Sequence, residues 1–357
     1  MKVNNIQELL QIAHENKASD LHVTTGIPPK IRVDGELRSL GEDRLMPEDT
    51  EHLIKDIMSE HAAEIFLKKG EVDFSYVVPG TGRYRVNVFR QRGSYSCVMR
   101  IVNTTIPTPE ELRLPSSVVE LTGRKKGLIL VTGPTGSGKT TTLASLVNVI
   151  NENKNLHVIT LEDPIEYLHR HRKSIVNQRE IGIDSINYAD ALRAALREDP
   201  DVILVGEMRD LDTISTAITA ADTGHLVLST LHTTGASNTI DRIIDVFPPH
   251  QQQQIRIQVA SVLESVISQQ LVPCEKGGRV AAFEVMHSNP AIRNLIREAK
   301  THQINTVIQT GSKSGMLGMD DALAELVAQK LISMETAYEY AQDQVAVDRK
   351  LRLKNNG

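Results

Sequence analysis

The residues that announce chemistry are Gly133-Pro-Thr-Gly-Ser-Gly-Lys-Thr140, which fill every position of the pattern G-x-x-x-x-G-K-[ST]. Such a loop turns backbone N–H groups inward around a polyphosphate, and a following helix start adds unpaired donors and positive dipole. Thr135, Gly136, Ser137, Gly138, Lys139, Thr140 and Thr141 are therefore the candidate nucleotide-binding residues. Lys139 is placed to reach the β and γ phosphates of ATP, and the Thr140 hydroxyl to sit on Mg²⁺. A second group is acidic. Glu162-Asp-Pro-Ile-Glu166 and Gly206-Glu207 each follow a short apolar run. A carboxylate at such a strand end can polarise an attacking water or hold Mg²⁺ through water. Glu207 is read as the water-activating residue. The metal-directed aspartate of the general pattern would stand where Gly206 stands, and Asp201 is at the wrong end of the strand to replace it. A second metal contact is left open among Glu162, Asp163 and Glu166. His232, after a third apolar run, either hydrogen-bonds the γ-phosphate or is a satisfied loop residue.

These groups need a scaffold. Gly127–Thr132 reads as a buried strand, and Leu143, Leu146, Val147 and Ile150 fall at helical spacing behind the loop. The strand–loop–helix order is what the motif requires. Further strands are expected at 156–161, 202–205 and 225–232, with helices at 188–197 and 214–221, so the second half is α/β with a parallel sheet. The first hundred residues read differently. Ile6, Leu9, Leu10 and Ala13 mark a helix, Asp34-Gly35 a hairpin turn, and Leu53, Ile54, Ile57 and Met58 the buried side of helices between 47 and 69. Strands at 72–78, 84–89 and 95–102 complete an α+β module. With Arg92-Gly93 as the last turn, Arg85 lies directly opposite Arg100. Facing like charges are costly unless an anion is near, and guanidinium forks suit phosphate. These two arginines are expected at the γ-phosphate. Three prolines between 104 and 115 mark a linker, within which Arg113 is a further phosphate or subunit contact to consider. Ile292, Leu295, Ile296 and Ala299 mark a helix near the end, Ser333–Tyr340 another, and residues 348–354 a frayed basic tail.

A chain of 357 residues with formal net charge −5 calls for two or three domains and argues against nucleic acid as partner. Five phenylalanines and no tryptophan give little platform for base stacking. Two distant cysteines, Cys97 and Cys274, build neither a disulfide framework nor a cysteine zinc site. No signal peptide and no run of the length of a membrane span is evident, so a soluble cytoplasmic protein is expected.

Leu161–Tyr167 resembles the Asp box, Glu198–Asp210 the Walker B segment and Ser229–His232 the His box of secretion-superfamily ATPases. Tyr84–Phe89 and Val98–Val102 resemble that family's two arginine-bearing strands, and Ala291-Ile-Arg-Asn-Leu-Ile-Arg-Glu298 is similar to the signature of the retraction ATPases of type IV pili. The resemblance implies a PAS-like domain over residues 1–103, a linker at 104–116, a RecA-like P-loop ATPase domain at 117–288 and a C-terminal helical segment at 289–357. It implies a homohexamer, with ATP between the two domains. It further implies action on an inner-membrane pilus platform protein at the cytoplasmic face, so that ATP hydrolysis drives pilus retraction and twitching. Catalytic roles then fall to Glu207, Glu162, Glu166, His232, Arg85 and Arg100. The alternative is a nucleotide-gated accessory subunit of the pilus machinery with little hydrolysis.

Overall fold

The computed structural model describes residues 5–33, 35–79, 81–102 and 105–355, and the chain divides into two compact units, residues 1–105 with 166–168, and 106–165 with 169–357.

In the first unit, α1 (Ile6–Glu15) starts where the Asn5 side chain accepts from the Gln7 N–H, and buries Ile6, Leu9, Leu10 and Ala13. There follow β1 (Asp20–Val23), β2 (Lys30–Val33), β3 (Glu36–Ser39), α2 (Pro47–Lys55), α3 (Glu60–Lys69), β4 (Glu71–Val78), β5 (Gly82–Gln91) and β6 (Ser94–Val102). The strands form one antiparallel sheet in the order β3-β2-β1-β6-β5-β4. Val33 pairs with Glu36, so the expected hairpin closes over two residues; Gly35 has φ 85°, and Asp34 lies outside the described residues. The β5–β6 turn is Arg92-Gly93, at φ 50° and 82°. Two left-handed residues are what a type I′ turn needs, and they fix the register that sets Arg85 opposite Arg100. Alternation then sends Tyr84, Val86, Val88, Cys97 and Met99 into the core and the two arginines to the other face.

The second unit opens with α4 (Ser116–Val119), β7 (Gly127–Thr132), α5 (Lys139–Asn153), β8 (His157–Glu162), β9 (Ile175–Glu180), α6 (Tyr188–Ala195) and β10 (Val202–Val205). It continues through α7 (Leu211–Asp222), β11 (Leu226–Leu231), α8 (Ala236–Asp245), α9 (Pro249–Val262), β12 (Leu263–Pro273) and β13 (Arg279–His287). It ends in α10 (Pro290–Arg297), α11 (Ile304–Thr310), α12 (Met319–Ala328), α13 (Met334–Tyr340) and α14 (Gln344–Asn355). The sheet order is β13-β12-β7-β11-β10-β8-β9, parallel except for β13. Its inner strands are apolar on both faces because both are covered. One face packs Ile129, Val131, Val158 and Leu228 under α5. The other packs Leu130, Ile159, Ile203 and Val227 under the α6–α10 side.

Two expectations are corrected. Residues 348–354 are not a frayed tail but part of α14, which buries Val347 and pairs Lys350 Nζ with Asp321 Oδ1 at 2.9 Å. Ala299 is not on the buried face of α10. It follows the C-cap residue Glu298 at φ 58° and is exposed, while Ile292 and Ile296 are fully buried.

Candidate active site

Parallel pairing brings the ends of β7, β11, β10 and β8 to one edge, so Gly133, His232, Glu207 and Glu162 are neighbours in space. The loop after β7 is tightly built. Gly133 takes φ 142°, and a Cβ there would run into the Gln269 carbonyl and lie 2.7 Å from Ser137 Oγ. Gly138, at φ 89°, caps α5. The Lys139 ammonium is buried and donates to the Gly133 and Pro134 carbonyls, each at 2.9 Å. Ser137 Oγ is buried with no hydrogen-bond partner among the described residues. Thr140 stands half-buried in the first turn of α5, while Thr135 and Gly136 are exposed at the loop tip.

The acids are held in distinct ways. Glu207 Oε2 accepts from Arg209 Nε at 2.8 Å and lies 3.4 Å from His232 Nε2. The other imidazole nitrogen, Nδ1, is 3.5 Å from Thr135 Oγ1. The histidine thus lies between the phosphate loop and the β10 carboxylate, an arrangement that both readings of the sequence allow. Thr135, Glu207, Arg209, His232 and Arg242 line one cavity of about 540 Å³. Glu162 is buried and accepts from Thr160 Oγ1 at 2.6 Å and Gln178 Nε2 at 3.0 Å. Glu166 is exposed and groups with the first unit. Neighbouring strand ends are tied by hydroxyls: Ser229 Oγ donates to the Val205 carbonyl at 2.7 Å and Thr230 Oγ1 to that of Gly206 at 2.6 Å.

Gly206 has a steric cause. A Cβ there would fall 2.8 Å from the Tyr188 hydroxyl and 3.1 Å from the Leu161 carbonyl, so a side chain at this position would have to displace the tyrosine and crowd the backbone. Burial raises the pKa of that hydroxyl, and the carboxylates of Glu207, Asp163 and Glu162 raise it further. All three acids therefore act electrostatically on the Tyr188 hydroxyl.

Sequence reasoning missed Gln269 on β12. Its amide donates to the Ser137 carbonyl at 2.7 Å and accepts from Thr142 Oγ1 at 2.7 Å, clamping the loop to the first turn of α5. The available signal was the polar run Ser268-Gln-Gln270 inside an apolar strand. Arg209 lies within the Walker B segment, and the sequence alone assigns it no role. Beside Gly138 and Thr141 opens a second cavity of about 360 Å³, walled by Leu112, Leu271, Phe283 and Arg279. Arg113, with φ 54°, donates to Gln329 Oε1 at 3.0 Å.

In the first unit, Arg100 Nε donates to Asp20 Oδ1 at 2.9 Å, and Arg85 Nε lies 3.8 Å from Asp73 Oδ1. The nearby anions are thus carboxylates. Burial pushes the Asp20 carboxyl up, but the Ser19 hydroxyl and the Arg100 guanidinium outweigh it and hold it below its ordinary range. Both arginine side chains stay accessible, at 70% and 45% exposure for Arg100 and Arg85.

Among the described residues no cluster of three or more His, Cys, Asp or Glu side chains is arranged to hold a metal, and no helix is long and apolar enough to cross a membrane.

The family described as "Type II/IV secretion system protein" matches residues 1–354. The type IV pilus retraction ATPase PilT of Pseudomonas aeruginosa is 49% identical over 95% of this chain and 98% of its own length. A twitching motility protein of Neisseria gonorrhoeae is 48% identical over 88% of this chain and 84% of its own. A crystal structure of the pilus retraction motor PilT with bound ADP has TM-score 0.92 and 51% identity, covering 97% of this chain and 100% of that one. Similarity of this extent over nearly the whole chain, together with a nucleotide loop whose every position is built, makes the chain a member of the type II/IV secretion system protein family, among its pilus retraction ATPases.

Proposed function

We propose that this protein is an ATP-hydrolysing motor that powers type IV pilus retraction and so twitching motility. One observation carries the catalytic part of the reading: Glu207 is fixed between Arg209 and a histidine that also reaches the phosphate loop.

The N–H groups from Gly136 to Thr141 and the Lys139 ammonium take the phosphates, the ammonium exchanging its two carbonyl partners for phosphate oxygens. The buried Ser137 hydroxyl is one more donor toward them. The nucleoside occupies the mostly apolar cavity beside Thr141. The donors at hand are oxygens, namely the Thr140 hydroxyl and the acids near Tyr188, with no protein cage; this fits a Mg²⁺ that arrives with its triphosphate. Thr140 would hold that ion, with a second contact from Glu162, Asp163 or Glu166, and a bound Mg²⁺ would neutralise phosphate charge. Glu207 orients the water for in-line attack, Arg209 and His232 holding the carboxylate in place. His232 also senses the γ-phosphate. Arg85 and Arg100 draw off charge as it develops on the transferring group. Glu166 is kept as a further acid of the Asp box. Loss of phosphate then frees the arginine-bearing domain to move, which is the power stroke.

The domain division at 103 and 116 and the working homohexamer belong to the same proposal. So do a position at the cytoplasmic face of the inner membrane and a pilus platform protein as partner.

Equilibrium binding of a fluorescent ATP analogue and steady-state phosphate release test the roles. Lys139→Ala loses both binding and turnover; Glu207→Ala keeps binding and stops release. Arg85→Ala and Arg100→Ala each lower kcat by about a hundredfold or more. Equal loss of binding in the Lys139 and Glu207 variants would refute the separate roles. A wild-type protein that binds ATP but releases almost no phosphate would leave the accessory-subunit reading instead. In cells, deleting the gene should leave surface pili and abolish twitching.

A further inference from the structure

The loop that carries His232 is not held only by its own strand. Three residues later Gly235 begins the turn into α8, and the Gly235 N–H donates to Ser268 Oγ at 2.9 Å. The Ala236 N–H, first in α8, donates to Glu284 Oε1 at 2.8 Å. Glu284 is on β13 and only 3% exposed. A buried carboxylate at a helix start satisfies an orphan donor and meets the positive end of the dipole. Its other oxygen accepts from Gln342 Nε2 at 3.2 Å. Gln342 lies in the connection between α13 and α14, and that connection is itself anchored. The N–H groups of Gln342 and Asp343 donate to Asp320 Oδ1 and Oδ2 at 2.8 and 3.1 Å. One unbroken chain of hydrogen bonds thus runs from α12 through Gln342 and Glu284 to the helix that follows His232.

We propose that Glu284 is a positioning residue for His232, and that through Gln342 it makes the setting of the histidine depend on the C-terminal helices. This rests on the role given to His232 above. The chemistry supports a dedicated arrangement. Burial raises the pKa of Glu284, with the Asp320 carboxylate adding to it, while the Ala236 N–H and the Gln342 amide act the other way. A carboxylate placed where ionisation is disfavoured, yet given two donors, works as an acceptor for both. No phosphate-binding residue takes part in the chain. Its loss should therefore act on the chemical step more than on ATP binding.

The two side chains can be exchanged. In Glu284→Gln the new amide oxygen still accepts from the Ala236 N–H, but its NH₂ faces the NH₂ of Gln342. In Gln342→Glu two carboxylates face each other. In the double variant, E284Q with Q342E, the amide on β13 accepts from the Ala236 N–H with its oxygen. Its nitrogen donates to the carboxylate now on the α13–α14 connection, so both bonds return with donor and acceptor swapped. Each single variant should lower kcat about tenfold with KM for ATP within about twofold of wild type. The double variant should recover most of that loss. Thermal melts of all three check that the unit stays folded, and Gln342→Ala, at an exposed position, gives a second probe with the same expected direction.

Single variants with wild-type kcat, or a double variant whose loss is the product of the two singles, would overturn the coupling. A rise in KM at constant kcat would overturn it too, since it would place the effect on nucleotide binding. His232→Ala in the same assay separates the two levels. If it loses turnover while the Glu284 and Gln342 variants do not, only the coupling fails. If it keeps wild-type turnover, the role of His232 fails and the coupling with it.

Discussion

Replacing Gln269 by leucine tests how the phosphate loop is kept in shape. The side chain is 3% exposed and makes two hydrogen bonds of 2.7 Å, to the Ser137 carbonyl and from the Thr142 hydroxyl. Leucine is of similar size, so little cavity forms; the loss is polar. Leaving a buried group unsatisfied costs about 1–3 kcal/mol. Thr142 can recover, because a helical threonine hydroxyl can turn to the carbonyl four residues back, here that of Gly138. The Ser137 carbonyl has no such substitute. The penalty of about 1–3 kcal/mol therefore falls on the loop as the structure shows it, and ATP affinity should drop by about fivefold to 150-fold. Turnover at saturating ATP should change far less, since Glu207, Arg209 and His232 are untouched. The assay is anisotropy of a fluorescent ATP analogue with steady-state phosphate release on the same preparation. Gln269→Glu is the companion variant. It keeps the acceptor for Thr142 but sets a carboxylate against the Ser137 carbonyl and near the phosphates, so it should bind ATP more weakly than the leucine variant. A Gln269→Leu protein with unchanged ATP affinity and a fallen kcat would refute the clamp.

Three further outcomes are expected. Gly206→Ala should destabilise the protein by about 1–3 kcal/mol in denaturant melts through overpacking, and Tyr188→Phe in the same chain should relieve part of it; an undisturbed Gly206→Ala would show that the contact with the hydroxyl at 2.8 Å is not constraining. Partial burial lowers the pKa of His169 from 6.5 to about 4. The folded protein keeps this imidazole neutral where the unfolded chain takes a proton, so stability should fall as pH is lowered through that window. The slope should flatten in His169→Gln, and identical pH–stability curves for the two proteins would contradict it. Arg100→Ala should lower the melting temperature of the first unit more than Arg85→Ala, because the buried Asp20 carboxylate loses its 2.9 Å partner whereas Asp73 is exposed; equal melting temperatures would remove that distinction.

The parts of the site that were legible in the sequence are those where the backbone dictates residue type. Gly133, Gly138 and Lys139 stand where close approach, a left-handed cap and a buried cation demand them. The facing arginines were readable because Arg92-Gly93 is a turn with only one comfortable geometry, and turn geometry sets register. Contacts made across long stretches of chain were not readable. Gln269 meets Ser137 and Thr142 from more than a hundred residues away, and nothing local in a strand names its distant neighbour. Gly206 looked like a missing aspartate because its reason, the hydroxyl of Tyr188, lies on another element. The end of the chain was misread because its charges outweighed Val347 and Leu351, whose four-residue spacing packs α14 against α12 and α13. Ala299 was misplaced by one turn because the end of α10 is set by a left-handed residue that needs no glycine.

Ser229 and Thr230 give the edge of the sheet a property that no single residue there has. Each hydroxyl spans to a carbonyl on the next strand, one just before Gly206 and one at it. The imidazole and the carboxylate are thereby mounted on one stiff rim instead of on two separate stalks. Swap either hydroxyl for a methyl and a carbonyl at the strand end loses its cross-strand donor, so the rim loses one of the two ties that set the imidazole and the carboxylate at a fixed spacing.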